Sequence, residues 1–177
     1  MATTHFSGPL DVTTGLTDGK VTLGIQDCSF VTGTWTPTRN AASDYSNNKT
    51  AAANTSHISA DITELLRTTS SKGMKLKSFD VIYSIGTAAL TTHTAVVNSV
   101  TYANATAVAV AAHGGTLSGS LATATQATPY LSTITLGTQS FFTTDDAKVN
   151  IEIEVVAALT SVYKFYGIVL NFDHNLV

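Results

Sequence analysis

Five histidines (His5, His57, His93, His113 and His174), one cysteine (Cys28) and one adjacent acidic pair (Asp145 and Asp146) are the side chains here best suited to hold a metal or activate a nucleophile. Zinc sites take His and Cys ligands a few residues apart, and no two of these stand so close. The histidines therefore read as isolated loop or surface residues. Asp145 and Asp146 follow Thr143-Thr144 just ahead of a strand-like run. They read as a turn with solvated carboxylates, because calcium loops space their acids at alternate positions around a glycine. There is no G-x-S-x-G elbow, and Cys28 has no histidine or cation beside it to lower its pKa. Gly114-Gly115 lacks the lysine and following helix of a phosphate-cradling loop. Trp35 and Tyr45, in and beside a loop after an early strand, offer aromatic faces for a sugar, although a tryptophan at a strand end more often covers the edge of a core. The pattern points away from catalysis, and neither cofactor nor metal is expected.

The elements that must carry these residues are strands. Val149, Ile151, Ile153 and Val155 alternate with Asn150, Glu152 and Glu154, the period of a half-buried strand. Over Val162 to Phe172, Tyr163, Phe165 and Val169 face one way while Tyr166, Ile168, Leu170 and Phe172 face the other. Apolar groups on both sides imply a central strand, or one whose second face (Tyr166, Ile168, Leu170, Phe172) meets another subunit. Gly167 marks a bulge or a close backbone contact there. Lys75 to Ile85 sets Phe79, Val81, Tyr83 and Ile85 against Ser78, Asp80 and Ser84. Thr94 to Tyr102 and Thr106 to Ala112 read as a hairpin, with further strands at Lys20 to Gln26, Ser29 to Thr36 and Leu131 to Phe142. Ile58, Ile62, Leu65 and Leu66 have helical spacing, and Asp61 with Glu64 suits a capping box. The stretches from Pro37 to Ser56 and from His113 to Thr128 read as long loops. The expected architecture is all-β: an antiparallel β-sandwich, jelly-roll-like, with one short helix. A single domain would span residues 20–177, preceded by an extended arm, residues 1–19.

The arm opens MATTHFSGPLD, without the basic region and apolar run of a secretory leader. Pro9 stiffens it, and His5, Phe6 and Leu10 give it side chains to place in a neighbour's pockets. The chain has 177 residues, 12% of them charged, a net charge of -3 and a mean hydropathy of +0.19. Thr, Ser and Ala supply well over a third of it. A neutral, hydroxyl-rich exterior suits a protein covered by other subunits more than a dispersed monomeric enzyme. There is no basic footprint for nucleic acid and no apolar run near the roughly 20 residues of a membrane span. A lone cysteine suits folding in a reducing cytoplasm.

Three stretches carry a resemblance: THFSGPL in the arm, KGMKLKSFDVIYSIGTAALTTHTA at residues 72–95, and the ending SVYKFYGIVLNFDHNLV. Together they resemble small head-associated structural proteins of tailed bacteriophages. The resemblance implies a virion component made in the host cytoplasm, a decoration or cement protein on the capsid surface. Its implied partners are the major capsid protein and copies of itself, as a trimer. His5, Phe6, Pro9 and Leu10 would bind the partner, and Tyr166, Ile168, Leu170 and Phe172 would form the oligomer contact. The alternative is a receptor- or glycan-binding module of a fibre or tail, in which Trp35 and Tyr45 would meet the sugar.

Overall fold

The computed structural model describes residues 19–41, 44–50, 52–102, 108–143 and 145–174. Along the chain run β1 (Gly19–Gly24), β2 (Ser29–Phe30), β3 (Trp35–Ala41), β4 (Asp44–Lys49), β5 (Thr55–Asp61), α1 (Thr63–Ser70), β6 (Met74–Gly86) and β7 (Leu90–Thr101). Then follow β8 (Ala109–Ala112), β9 (Leu117–Ser118), β10 (Gln126–Ser140), β11 (Lys148–Ala157) and β12 (Val162–His174). One sheet of seven strands has the order β3-β4-β12-β6-β10-β9, with β1 also paired to β12, and a second of five has the order β2-β5-β11-β7-β8. All pairings are antiparallel.

The main pairings are nested: β7 with β8 innermost, then β6 with β10, β5 with β11, and β4 with β12 outermost. A long two-stranded ribbon wound over itself gives this pattern, with β4-β12-β6-β10 in one sheet and β5-β11-β7-β8 in the other. That winding is a jelly roll, and the fold is an all-β sandwich. The alternation read from the sequence explains why it closes. Val149, Ile151, Ile153 and Val155 on β11, and Phe79, Val81, Tyr83 and Ile85 on β6, are wholly buried in one core shared by the two sheets.

Four expectations are corrected. The presumed loop from Pro37 to Ser56 contains the β3–β4 hairpin, hidden because Asn47 and Lys49 of β4 take the positions opposite inward-facing Phe165 and Tyr163. Ile58 belongs to β5, opposite Ile153, and the helix starts after it. There Asp61 accepts hydrogen bonds from the Thr63 backbone N–H (3.0 Å) and hydroxyl (2.6 Å), while Glu64 pairs with Arg67 at 2.9 Å; no capping box joins Asp61 to Glu64. Part of the second presumed loop is strand, since β9 pairs with β10. Finally, β12 does not keep one alternation. Its register against β6 shifts between Phe165 and Gly167, so Tyr163 and Phe165 before the bulge and Ile168, Leu170 and Phe172 after it all point into the core. Gly167 has φ +153°, and a Cβ there would lie 2.5 Å from the Leu23 carbonyl oxygen of β1. Both expected roles of this glycine, bulge and close contact, are met together.

Candidate functional site

The bulge decides the fate of the expected oligomer face. Ile168, Leu170 and Phe172 are at most 1% exposed in the single chain, so they offer nothing to a second subunit. Of that set only Tyr166 reaches the outside, half-buried, with its hydroxyl 3.5 Å from Ser84 Oγ. The arm residues His5, Phe6, Pro9 and Leu10 lie outside the described residues.

Trp35 and Tyr45 do not form a shared platform. Trp35 is inward-leaning and half-buried; its ring centroid sits 4.9 Å from that of Phe30 and 6.3 Å from that of Tyr163, and its Nε1 donates to the Thr32 carbonyl at 2.7 Å. It covers the core edge. Tyr45 lies about four residues further along the hairpin, ~13 Å away at ~3.3 Å per residue. It is exposed, and its hydroxyl donates to Gln26 Oε1 at 3.3 Å.

The histidines are not all at the surface. His57 is, facing Glu154 at 3.9 Å. His93 and His113 are buried. His93 stands between the sheets with Nδ1 2.9 Å from the Ala122 carbonyl oxygen and Nε2 3.0 Å from the Tyr163 hydroxyl. Beside it the Tyr83 hydroxyl accepts the Ala122 N–H at 2.7 Å and lies 2.7 Å from Ser132 Oγ. The three rings pack edge-on or stacked, with centroids 4.6 to 5.8 Å apart. Desolvation holds the imidazole neutral down to about 4 and pushes the Tyr163 phenol well above its ordinary range. Every polar atom of His93 is occupied, so this cluster ties β6, β7, β12 and the segment before β10 together and has no group free to act on a substrate.

His113 comes nearer to a catalytic arrangement. Its Nδ1 lies 3.8 Å from Asp146 Oδ1, and it borders a cleft of about 400 Å³ that Ser140 and Thr143 also line. Burial lowers its pKa, and the nearby Asp146 carboxylate opposes that shift. Nucleophilic chemistry needs a hydroxyl hydrogen-bonded to the base, whereas Ser140 Oγ donates to the Phe141 carbonyl. Asp146 Oδ2 accepts the Thr143 N–H at 2.7 Å, so the expected turn is present but one of its two carboxylates is buried. Cys28 packs against the core, and burial with Asp27 beside it pushes its thiol up to about 12. Lys49, also buried, donates Nζ to the Ala52 carbonyl at 2.9 Å. Among the described residues, no three His, Cys, Asp or Glu side chains are placed to hold a metal.

What remains open to a large partner is the outside of the sheets. On the seven-stranded sheet the outward positions of β6 are Ser78, Asp80, Ile82 and Ser84, flanked by Thr133 and Leu131 of β10 and by Val169 and Asn171 of β12. The Asp80 carboxylate accepts from Thr133 Oγ1 (2.6 Å) and Asn171 Nδ2 (3.0 Å), which leaves its charge inside a hydrogen-bonded net. Leu131, half exposed, lies opposite Ile82, with Tyr166 beyond it at the bulge. Together they form an apolar strip across a hydroxyl-bearing face on which Lys164 stands opposite Ser84 and Lys20 opposite Asn171. No sequence signal announced this strip, because its members come from three strands distant along the chain.

The chain is thus a jelly-roll β-sandwich in which, among the described residues, Asn47 Oδ1 and His113 Nε2 are the buried side-chain polar atoms left without a hydrogen-bond partner. Compared with protein-family models, curated proteins and solved structures, it finds no match.

Proposed function

We propose that this protein is a non-enzymatic virion component that binds and stabilises the outer surface of a tailed-phage capsid, meeting the major capsid protein through its sandwich face and its N-terminal arm. The observation that carries the reading is the outer face of the seven-stranded sheet. A surface meant to stay in water carries many charges of both signs; here the central carboxylate, Asp80, is already buried in the single chain and hydrogen-bonded by Thr133 and Asn171, so covering it strips little further water from it. The strip of Leu131, Ile82 and Tyr166 gives the centre of the contact its apolar area, as in the cores of stable interfaces. Jelly rolls serve as capsid and lectin domains alike. The lectin alternative draws no support from Trp35, whose indole is committed to the core edge.

The test is binding of purified protein to heads that lack it. Leu131→Glu, at an exposed position, is expected to keep the native melting temperature and weaken head binding about tenfold or more. Deletion of residues 1–11 is expected to weaken it further. Unchanged binding by both variants would refute the reading.

A further inference from the structure

A sheet edge presents unpaired N–H and C=O groups to any passing strand, and proteins guard such edges with charge, proline or very short strands. Here β1 carries Lys20, β3 carries Pro37 and Arg39, and the uncovered half of β10 carries Pro129, while β2 and β9 are two residues long. By contrast β8 reads Ala-Val-Ala-Ala and is exposed throughout. It pairs with Asn98–Thr101 of β7 on one side and has no strand on the other among the described residues. Exposed apolar side chains gather at the same corner: Tyr102 is 63% exposed, Val108 54% and Val110 63%.

We infer that β8 is a self-association edge, pairing antiparallel with β8 of a second copy about a twofold axis, so that two five-stranded sheets join into one. Three points single out a second copy. A partner edge must also be unguarded and accessible, and among the described residues β8 is the unguarded edge that is exposed throughout. An uncharged strand sets no like charges opposite one another when it meets itself. Along the rows of the sheet the nearest charge is Lys148, which follows Val100 and Val110 in register. It would lie five strand spacings from its mate across the axis, ~24 Å at ~4.8 Å each, beyond the ~10 Å over which salt leaves such repulsion unscreened. The pairing would cover Val110 and complete the hydrogen bonds of the edge. It specifies the self-contact within the proposed assembly, with an even copy number in place of the trimer that the resemblance implies, and does not depend on capsid binding.

Sedimentation equilibrium of the full chain tests it. The expected species has twice the monomer mass of 18.5 kDa. Val110→Lys should raise its dissociation constant about 100-fold or more by opposing two lysines, and Ala112→Pro should do the same by removing an edge donor, because the His113 N–H bonds to Val97 of β7 and the Ala112 N–H therefore faces the free side. Val96→Lys, on the exposed outer face of β7 away from the edge, should leave the mass unchanged. Circular dichroism and melting temperature identify any variant that has lost its fold. A monomeric wild type, a trimer, an even oligomer that survives both β8 variants, or one that Val96→Lys also breaks would each overturn the inference. Failure of head binding by a protein that dimerises through β8 would count against the proposed function alone.

Discussion

Acid should unfold this protein through His93. A hydrogen bond from Nδ1 to the Ala122 carbonyl requires the proton on Nδ1, so Nε2 accepts the Tyr163 hydroxyl. Protonating Nε2 would set an N–H against an O–H in a site with no water-facing side. Burial accordingly depresses the pKa from 6.5 to about 4. Above pH 6.5 the ring is neutral in both folded and unfolded chains, and protonation does not affect stability. As pH falls from 6.5 to 4 the unfolded chain takes up a proton that the folded one refuses, so stability declines across that window and levels off below it. A gap of about 2.5 units at 1.36 kcal/mol each makes the full loss about 3 kcal/mol, large against the ~5–15 kcal/mol of a typical domain. Urea unfolding of wild type and His93→Gln at pH 7.5 and 4.5 isolates the effect, because the other titrating groups are common to both. Wild type should lose about 2 to 3 kcal/mol more than the variant between the two pH values. Equal losses, or an NMR titration of His93 with its midpoint above 6, would refute the argument.

Gly167→Ala should destabilise the fold by about 1 to 3 kcal/mol, since the new Cβ would press on the Leu23 carbonyl at a φ that side chains avoid; thermal melts will show it, and an unchanged melting temperature would mean the bulge relaxes freely. Ile168→Asp buries an unpaired charge in the core, at a cost of about 4 kcal/mol or more. It should therefore yield unfolded or insoluble chain, where an interface position would yield soluble, dissociated protein.

Strands whose inward positions are all apolar were plain in the sequence. On β11 and β6 the alternation named most of the core residues, Tyr83 included, but not Leu76 or Ala157, nor that Ser78, Asp80 and Ser84 on the other face are buried too. It failed where a tertiary neighbour overrides chemical type. Asn47 and Lys49 face inward because Phe165 and Tyr163 of β12 lie beside them, and that pairing spans more than a hundred residues. His93 is buried because Tyr163 supplies its partner. In β12 a single extra residue at Gly167 reverses the parity, and the glycine announced the bulge without telling which way the following side chains turn. Ile58 satisfies a helical and a strand period equally; its pairing with Ile153 settles the choice. Since the outer strip of Leu131, Ile82 and Tyr166 is assembled across strands, no local pattern contains it.

The nested winding bears on how the chain reaches its native state. β12 is the seam of the seven-stranded sheet, with β6 along one flank and β1 and β4 along the other. Until β12 has been made, β1 and β4 have nothing to zip onto, and β6 stands with a raw flank. The seven-stranded sheet therefore closes late, by a slow search over separations of more than a hundred residues. Deleting a few residues of β12 should therefore harm yield far more than an equal deletion in a surface turn.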